Sequence, residues 1–249
     1  MKRIAVMSGK GGVGKSFVAA GLAIGLRRRG LAVGVLDADI TGASIPHVLG
    51  VPKGPRTNQN GSMAVGRSAT GIAVVSMSLL LPADDKAVIW RGPLISRAID
   101  QLHDDTDWED TEVMVIDMPP GTSDAALTVL QSIKPDAIVA VSTPQDLVTT
   151  VARKSQDMAA QVDVPLLGFV ENMAYLDCPH CGQRIDLFGA SGEERLVQGG
   201  ARLLARLPLV PEQTAAADEG RLEEAPLPGF DALVESVWDA VGTEARSAE

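Results

Sequence analysis

One octapeptide near the start restricts the fold more than any other part of the chain. Gly9 to Ser16 read "GKGGVGKS", the pattern G-x-x-x-x-G-K-[ST], with Gly9, Gly14, Lys15 and Ser16 in register. An apolar run, Arg3–Met7, precedes it, and a helical pattern, Ser16–Arg29, follows. A glycine-rich turn between a strand and a helix points backbone N–H groups inward at the positive end of that helix, where phosphate oxygens bind. The nucleotide-binding set is therefore Gly9, Lys10, Gly11, Gly12, Val13, Gly14, Lys15 and Ser16. Lys15 reaches the β- and γ-phosphates, and Ser16 ligates Mg²⁺.

The rest of the chain fits the architecture such a loop requires. Apolar runs at Ala32–Leu36, Ile72–Val75, Val113–Ile116, Ala137–Val141 and Leu166–Val170 read as buried strands. Helical patterns separate them at Gly92–Leu102, Ser123–Ile133 and Gln145–Val162, the last with Thr143 as N-cap and Pro144 in its first turn. A C-terminal helix is expected over 230–241, before the tail "GTEARSAE". Strands alternating with helices give a doubly wound, mostly parallel α/β sheet. A single domain over residues 1–249 is expected, with Val51–Gly71 as an irregular connection rich in Pro, Gly, Asn and Ser.

Acidic residues close two of the strands. "VLDAD" places Asp37 and Asp39, and "MVIDMPPGTSD" places Asp117, at strand ends where ligands sit in open α/β sheets. Asp117 is expected to hold Mg²⁺ through water with support from Asp37, and Asp39 to orient or deprotonate the attacking water. These carboxylates could also cap helices. Asn172 ends the run "LLGFVEN" and offers a donor and an acceptor suited to the adenine edge, and no Asn-Lys-x-Asp string of the GTPase type is present. ATP is the expected nucleotide.

Charge and cysteine usage narrow the partners. A net charge of −10 argues against nucleic acid and against an anionic membrane surface. No apolar run approaches the ~20 residues of a spanning helix, and the start of the chain lacks a signal-peptide core, so a cytoplasmic location is expected. The only two cysteines, Cys178 and Cys181, stand three positions apart in "YLDCPHCGQR", within a loop over about 173–188. In a reducing compartment such a pair binds metal or does redox chemistry. On spacing alone it fits half of a four-thiolate iron–sulfur site, half of a structural zinc site, a thiol oxidoreductase turn, or an incidental surface turn. His180 between the cysteines reads as a solvated residue.

Lys10 is an addition to the plain loop motif. It resembles the early lysine of the deviant Walker A subfamily, which implies a reach across a face-to-face dimer to the partner's phosphates. More specifically, "SGKGGVGKS", "VLDADITGASIPHVLGV", "IWRGPLIS", "DMPPGTSDAALT", "STPQDL", "ENMAYLDCPHCG" and "PEQTAAADEG" run in order through nearly the whole chain. On these pieces it resembles the Mrp (ApbC) family of iron–sulfur cluster carriers. That resemblance implies a homodimeric, slow, switch-type ATPase. It also implies a cluster, expected to be 4Fe–4S, bridged between subunits by Cys178 and Cys181 and delivered to apo iron–sulfur client proteins. Thr41 and Ala43 stand where the family usually has Tyr and Pro, and "QLHDDTDWEDTE" is unusually acidic. The alternative is a MinD/ParA-like positioning ATPase with structural zinc at the cysteine pair. MinD-like proteins resemble one another in a basic amphipathic C-terminal helix, whereas this chain ends acidic.

Overall fold

A computed structural model of the chain describes residues 1–40, 42–53, 63–80, 92–108, 110–121, 124–145 and 150–243. In chain order the elements are β1 (Lys2–Ser8), α1 (Lys15–Arg28), β2 (Val33–Asp37), α2 (Ile45–Val48), β3 (Gly66–Arg67), β4 (Ala73–Ser76) and α3 (Gly92–Asp104). Then come β5 (Val113–Asp117), α4 (Asp124–Ile133), β6 (Ala137–Ser142), α5 (Thr150–Gln161) and β7 (Leu166–Glu171). The last part holds β8 (Leu176–Asp177), β9 (Arg184–Ile185), α6 (Glu193–Gln198), β10 (Leu203–Arg206), α7 (Pro211–Asp218) and α8 (Phe230–Thr243).

Eight strands form one sheet in the order β10-β7-β6-β1-β5-β2-β4-β3. All neighbours pair in parallel except β3 with β4. The expected doubly wound α/β sheet is thus the observed one. Central strands are buried on both faces, which is why they read as continuous apolar runs rather than alternating ones. Alternate residues serve opposite layers: Ile4 and Val6 of β1 join the core under α1, α2, α7 and α8, while Ala5 and Met7 join the core under α3 to α6. Each fully buried Leu, Ile or Phe side chain contributes about 1.5–3 kcal/mol.

One packing detail explains the glycines of α1. A Cβ at Gly21 would collide with the Phe230 ring, and one at Gly25 with Val234. The missing side chains let α8 lie directly against α1, with Phe230 meeting Phe17 edge-on at 5.9 Å between centroids. That packs α1, and the loop it carries, between α8 and the sheet.

One sequence expectation needs revision. Within Val51–Gly71, residues 54–62 lie outside the described residues, but Gly66–Arg67 forms an edge strand whose register with Ala73 and Val74 extends the sheet. The helix expected over Gln145–Val162 is described from Thr150 to Gln161, Pro144 and Gln145 lie in a turn, and the start of the helix after Gln145 falls in residues 146–149, outside the described residues. Ser123, residues 146–149, Thr41 and the end of the acidic tail (244–249) lie outside the described residues.

Candidate functional site

The strand order reverses around β1 and β5, and the carboxyl ends of those strands meet the glycine-rich loop. Gly14 caps α1 at a φ of 81°, a left-handed conformation that glycine adopts without strain. A side chain there would also collide with the Asn172 carboxamide. Asn172 follows β7, is 4% exposed, and donates from Nδ2 to the Val13 carbonyl at 2.9 Å. The residue expected to read adenine is therefore joined to the phosphate loop.

Lys15 folds over the strand ends onto the acidic residues. Its Nζ donates to Asp117 Oδ1 at 2.5 Å and lies 3.9 Å from Asp39 Oδ2. The register of β2 against β5 sets Asp37 opposite Asp117, so three carboxylates and one ammonium share a buried pocket of charge. Burial pushes the Asp37 carboxyl up to about 8, with the neighbouring Asp117 charge adding to the effect and Lys15 opposing it. Burial likewise raises Asp117, against the pull of Lys15 and the Ser16 hydroxyl. Asp37 is otherwise occupied in structure: it accepts from the Asp39 N–H at 3.2 Å, the Ile45 N–H at 3.3 Å and the Ser76 hydroxyl at 3.2 Å. Asp39 accepts from the Gly42 N–H at 3.1 Å. Asp117 Oδ2 is buried and has no hydrogen-bond partner among the described residues. Beyond it, Gly121 donates to the Ser8 carbonyl at 3.0 Å, which lays the Pro119–Gly121 loop along the start of the phosphate loop.

Lys10 is exposed at the entrance of the loop. Lys15, Ser16, Asp37, Asp39, Asp117 and Asn172 thus come from four elements to one edge of the sheet. Cys178 and Cys181 stand apart from them, in the turn between β8 and β9. Cys178 N–H donates to the Gln183 carbonyl at 2.9 Å and Gly182 N–H returns to the Cys178 carbonyl at 2.8 Å, closing a tight hairpin. Both thiols are free, Cys181 and the intervening His180 being exposed. Backbone N–H groups of Cys181 and His180 and the Cys181 thiol hold the Cys178 thiol below its usual range, favouring the thiolate that binds metal.

Residues that sequence reasoning passed over support this hairpin. Glu171, at the end of β7, is fully buried and accepts from Arg206 Nε at 2.5 Å, the Ser191 hydroxyl at 3.1 Å and the Gly192 N–H at 3.0 Å. Arg184 of β9 stacks on the Tyr175 ring at 3.6 Å, and Arg206 lies 5.8 Å from the same centroid. The available signal was a single charge, Glu171, ending an otherwise apolar strand.

A glycine-rich phosphate loop facing strand-end aspartates on a doubly wound sheet defines a P-loop nucleotide-binding protein. The family described as ParA, NUBPL iron-transfer P-loop NTPase, matches residues 1–239, and the chain belongs to it. An "Iron-sulfur cluster carrier protein" of Pyrococcus horikoshii is 43% identical over 235 residues, covering 88% of this chain and 77% of the relative. The protein of that name from Clostridium perfringens is 43% identical over 230 residues, covering 89% and 80%. Among solved structures, a nucleotide-binding protein from Archaeoglobus fulgidus in complex with ADP is 41% identical, with a TM-score of 0.81 over 90% of this chain and 89% of that one. The cell division ATPase MinD of Pyrococcus furiosus, 22% identical, superposes with a TM-score of 0.67 over 96% of this chain and 99% of its own, a likeness of fold. Among the described residues no helix is long and apolar enough to cross a membrane.

Proposed function

We propose that this protein is an ATP-hydrolysing carrier that holds an iron–sulfur cluster between two copies of the chain and delivers it to apo iron–sulfur client proteins. The observation that carries this reading is the hairpin. The chain's only cysteines sit together on a braced, exposed turn, outside the nucleotide pocket but on the strand extension that leaves it. One chain supplies two thiols, an iron–sulfur cluster takes four, and a two-fold axis through the hairpins supplies the rest. The names of the relatives support a cluster over structural zinc, and a 4Fe–4S cluster is the proposed cargo.

ATP is held by Gly9 to Ser16, with Asn172 beside the base. Its phosphates draw Lys15 away from Asp117, so entry of nucleotide exchanges one ion pair for another. The residues present fit Mg²⁺: the buried Asp117 Oδ2, without a hydrogen-bond partner among the described residues, is an acceptor suited to a hard cation or its water. Ser16 and Asp117 would hold the ion, with Asp37 behind them, and its charge would offset that developing on the phosphates. Asp39 orients or deprotonates the attacking water. Hydrolysis is slow and resets the dimer between cluster-holding and cluster-releasing states.

Lys10 acts in trans on the nucleotide of the partner subunit. Lys10→Ala should weaken ATP-dependent dimerisation or hydrolysis while nucleotide affinity falls only modestly. Sedimentation and phosphate release measured with and without ATP check this, and unchanged values for both remove the trans role.

The function itself is tested by transfer. Protein reconstituted anaerobically with iron and sulfide should convert an apo iron–sulfur acceptor to its holo spectrum, with a rate that depends on ATP. The Cys178→Ser/Cys181→Ser protein should transfer nothing while retaining ATP binding. Equal transfer by that variant would sink the reading.

A further inference from the structure

The stretch from Glu171 to Tyr175 touches both ends of the molecule's chemistry. Asn172 is tied to the phosphate loop through the Val13 carbonyl. Immediately before it, Glu171 is fully buried and fixed by Arg206, Ser191 and Gly192. Immediately after it, Met173 has a φ of 52°, a left-handed conformation rare for a side chain of that size. Such strain persists only where surrounding contacts enforce it. Here Ala174 N–H donates to the Leu207 carbonyl at 2.9 Å and Leu209 N–H to the Tyr175 carbonyl at 2.8 Å, pinning the chain on the far side.

Tyr175 then passes this placement to the cysteine hairpin. Its ring carries the Arg184 guanidinium at 3.6 Å, and Arg184 in turn pairs with Asp177 at 3.1 Å, the residue preceding Cys178. Arg206 flanks the same ring at 5.8 Å while its Nε stays on Glu171. The hairpin has only two paired positions per strand, Leu176 with Ile185 and Asp177 with Arg184. A two-stranded ribbon that short has little stability of its own. Its orientation is therefore set by the ring and the two guanidinium groups.

We propose that Tyr175 and Arg206 are positioning residues that carry the state of the nucleotide site to the cysteine pair. Nucleotide displaces the Asn172 carboxamide from Val13, the strained turn at Met173 moves with it, and Tyr175 re-aims the hairpin while Glu171 and Arg206 serve as the fixed pivot. This rests on the reading of the hairpin as the cargo site and adds how that site is regulated.

Alkylation of the metal-free protein by iodoacetamide tests it, because Cys178 and Cys181 are the only thiols in the chain. The rate is measured without nucleotide and with excess Mg-ATP. Wild type should show a change of about fivefold or more, the lower range of coupled sites. Tyr175→Phe keeps the ring and should keep that ratio. Tyr175→Leu removes the platform and should bring the ratio to about one, with ATP turnover within about twofold of wild type, since a reciprocal penalty binds affinities rather than rates. Arg206→Lys keeps the charge opposite Glu171 but loses the planar fork, and should reduce the ratio. Loosened packing alone would raise both rates and leave their ratio intact. A wild-type ratio of one, or a ratio preserved in Tyr175→Leu, overturns the proposal. Because no metal is present, failure of the protein to bind a cluster would leave this result unaffected.

Discussion

Lys15→Ala should abolish ATP turnover and also destabilise the nucleotide-free protein. The first effect follows from the proposed role of Lys15 as the charge that meets the β- and γ-phosphates as they separate, for which a fall of roughly a thousandfold or more is expected from comparable phosphate-stabilising groups. The second follows from what Lys15 does when no phosphate is bound. Its Nζ lies 2.5 Å from Asp117 and both side chains are buried. Removing one partner of a buried pair costs about 3–5 kcal/mol, because the remaining charge has no counterion. The loss should depend on pH. Lys15 opposes proton uptake by Asp37 and Asp117, so without it both bind protons more tightly. A carboxyl whose folded-state value lies above its unfolded one stabilises the fold while protonated and ceases to do so as pH rises through the folded value. With both carboxyls raised by burial, Asp37 to about 8 in the intact site, the deficit should be less near pH 6, where proton uptake can replace the lost ammonium, and approach that full cost towards pH 9. Urea unfolding of variant and wild type across that range checks it. Equal stability at all pH values would mean that the pair is solvated, and unchanged hydrolysis would remove the assignment of the loop.

Asp39→Asn should separate binding from chemistry. The carboxamide oxygen can still accept from Gly42 N–H, as Asp39 Oδ1 does at 3.1 Å, so the turn over residues 39–42 should survive. What disappears is a carboxylate 3.9 Å from the Lys15 ammonium, the group proposed above to orient or deprotonate water. Nucleotide affinity should be unchanged or higher, since one negative charge leaves the vicinity of the phosphates. Turnover should fall by about 10²- to 10⁴-fold, the usual value of a positioned general base. Fluorescent-nucleotide titration and phosphate release on the same sample read the two quantities. Normal turnover would reduce Asp39 to the carboxylate that shapes its own turn.

The fold was readable because buried parallel strands write themselves as apolar runs. Six of those runs end, in sequence, at Met7, Leu36, Val75, Ile116, Val141 and Val170. In the structure each strand continues by one residue, to Ser8, Asp37, Ser76, Asp117, Ser142 and Glu171. All six added residues are polar and buried. Hydrophobic periodicity ends a strand where polarity begins, so it stops one residue short at the edge where the chemistry lies. β10 escaped notice for a related reason: in "ARLLARLPLV" arginines interrupt the apolar run, and the value of Arg206 comes from Glu171, 35 positions earlier. The motifs around Lys15 and the cysteines were legible because their geometry is local. The Lys15–Asp117 pair and the support of the hairpin were not, since both join elements that only the folded sheet brings together.

The two cysteines are proposed to form half of an iron–sulfur site. Anaerobic reconstitution with iron and sulfide, followed by iron and sulfide analysis, the visible spectrum and the mass of the assembly, tests it most directly. One cluster for two chains is expected, 4Fe–4S by spectrum, lost in Cys178→Ser/Cys181→Ser. A protein that binds no cluster and instead retains zinc at one ion per two chains would contradict it.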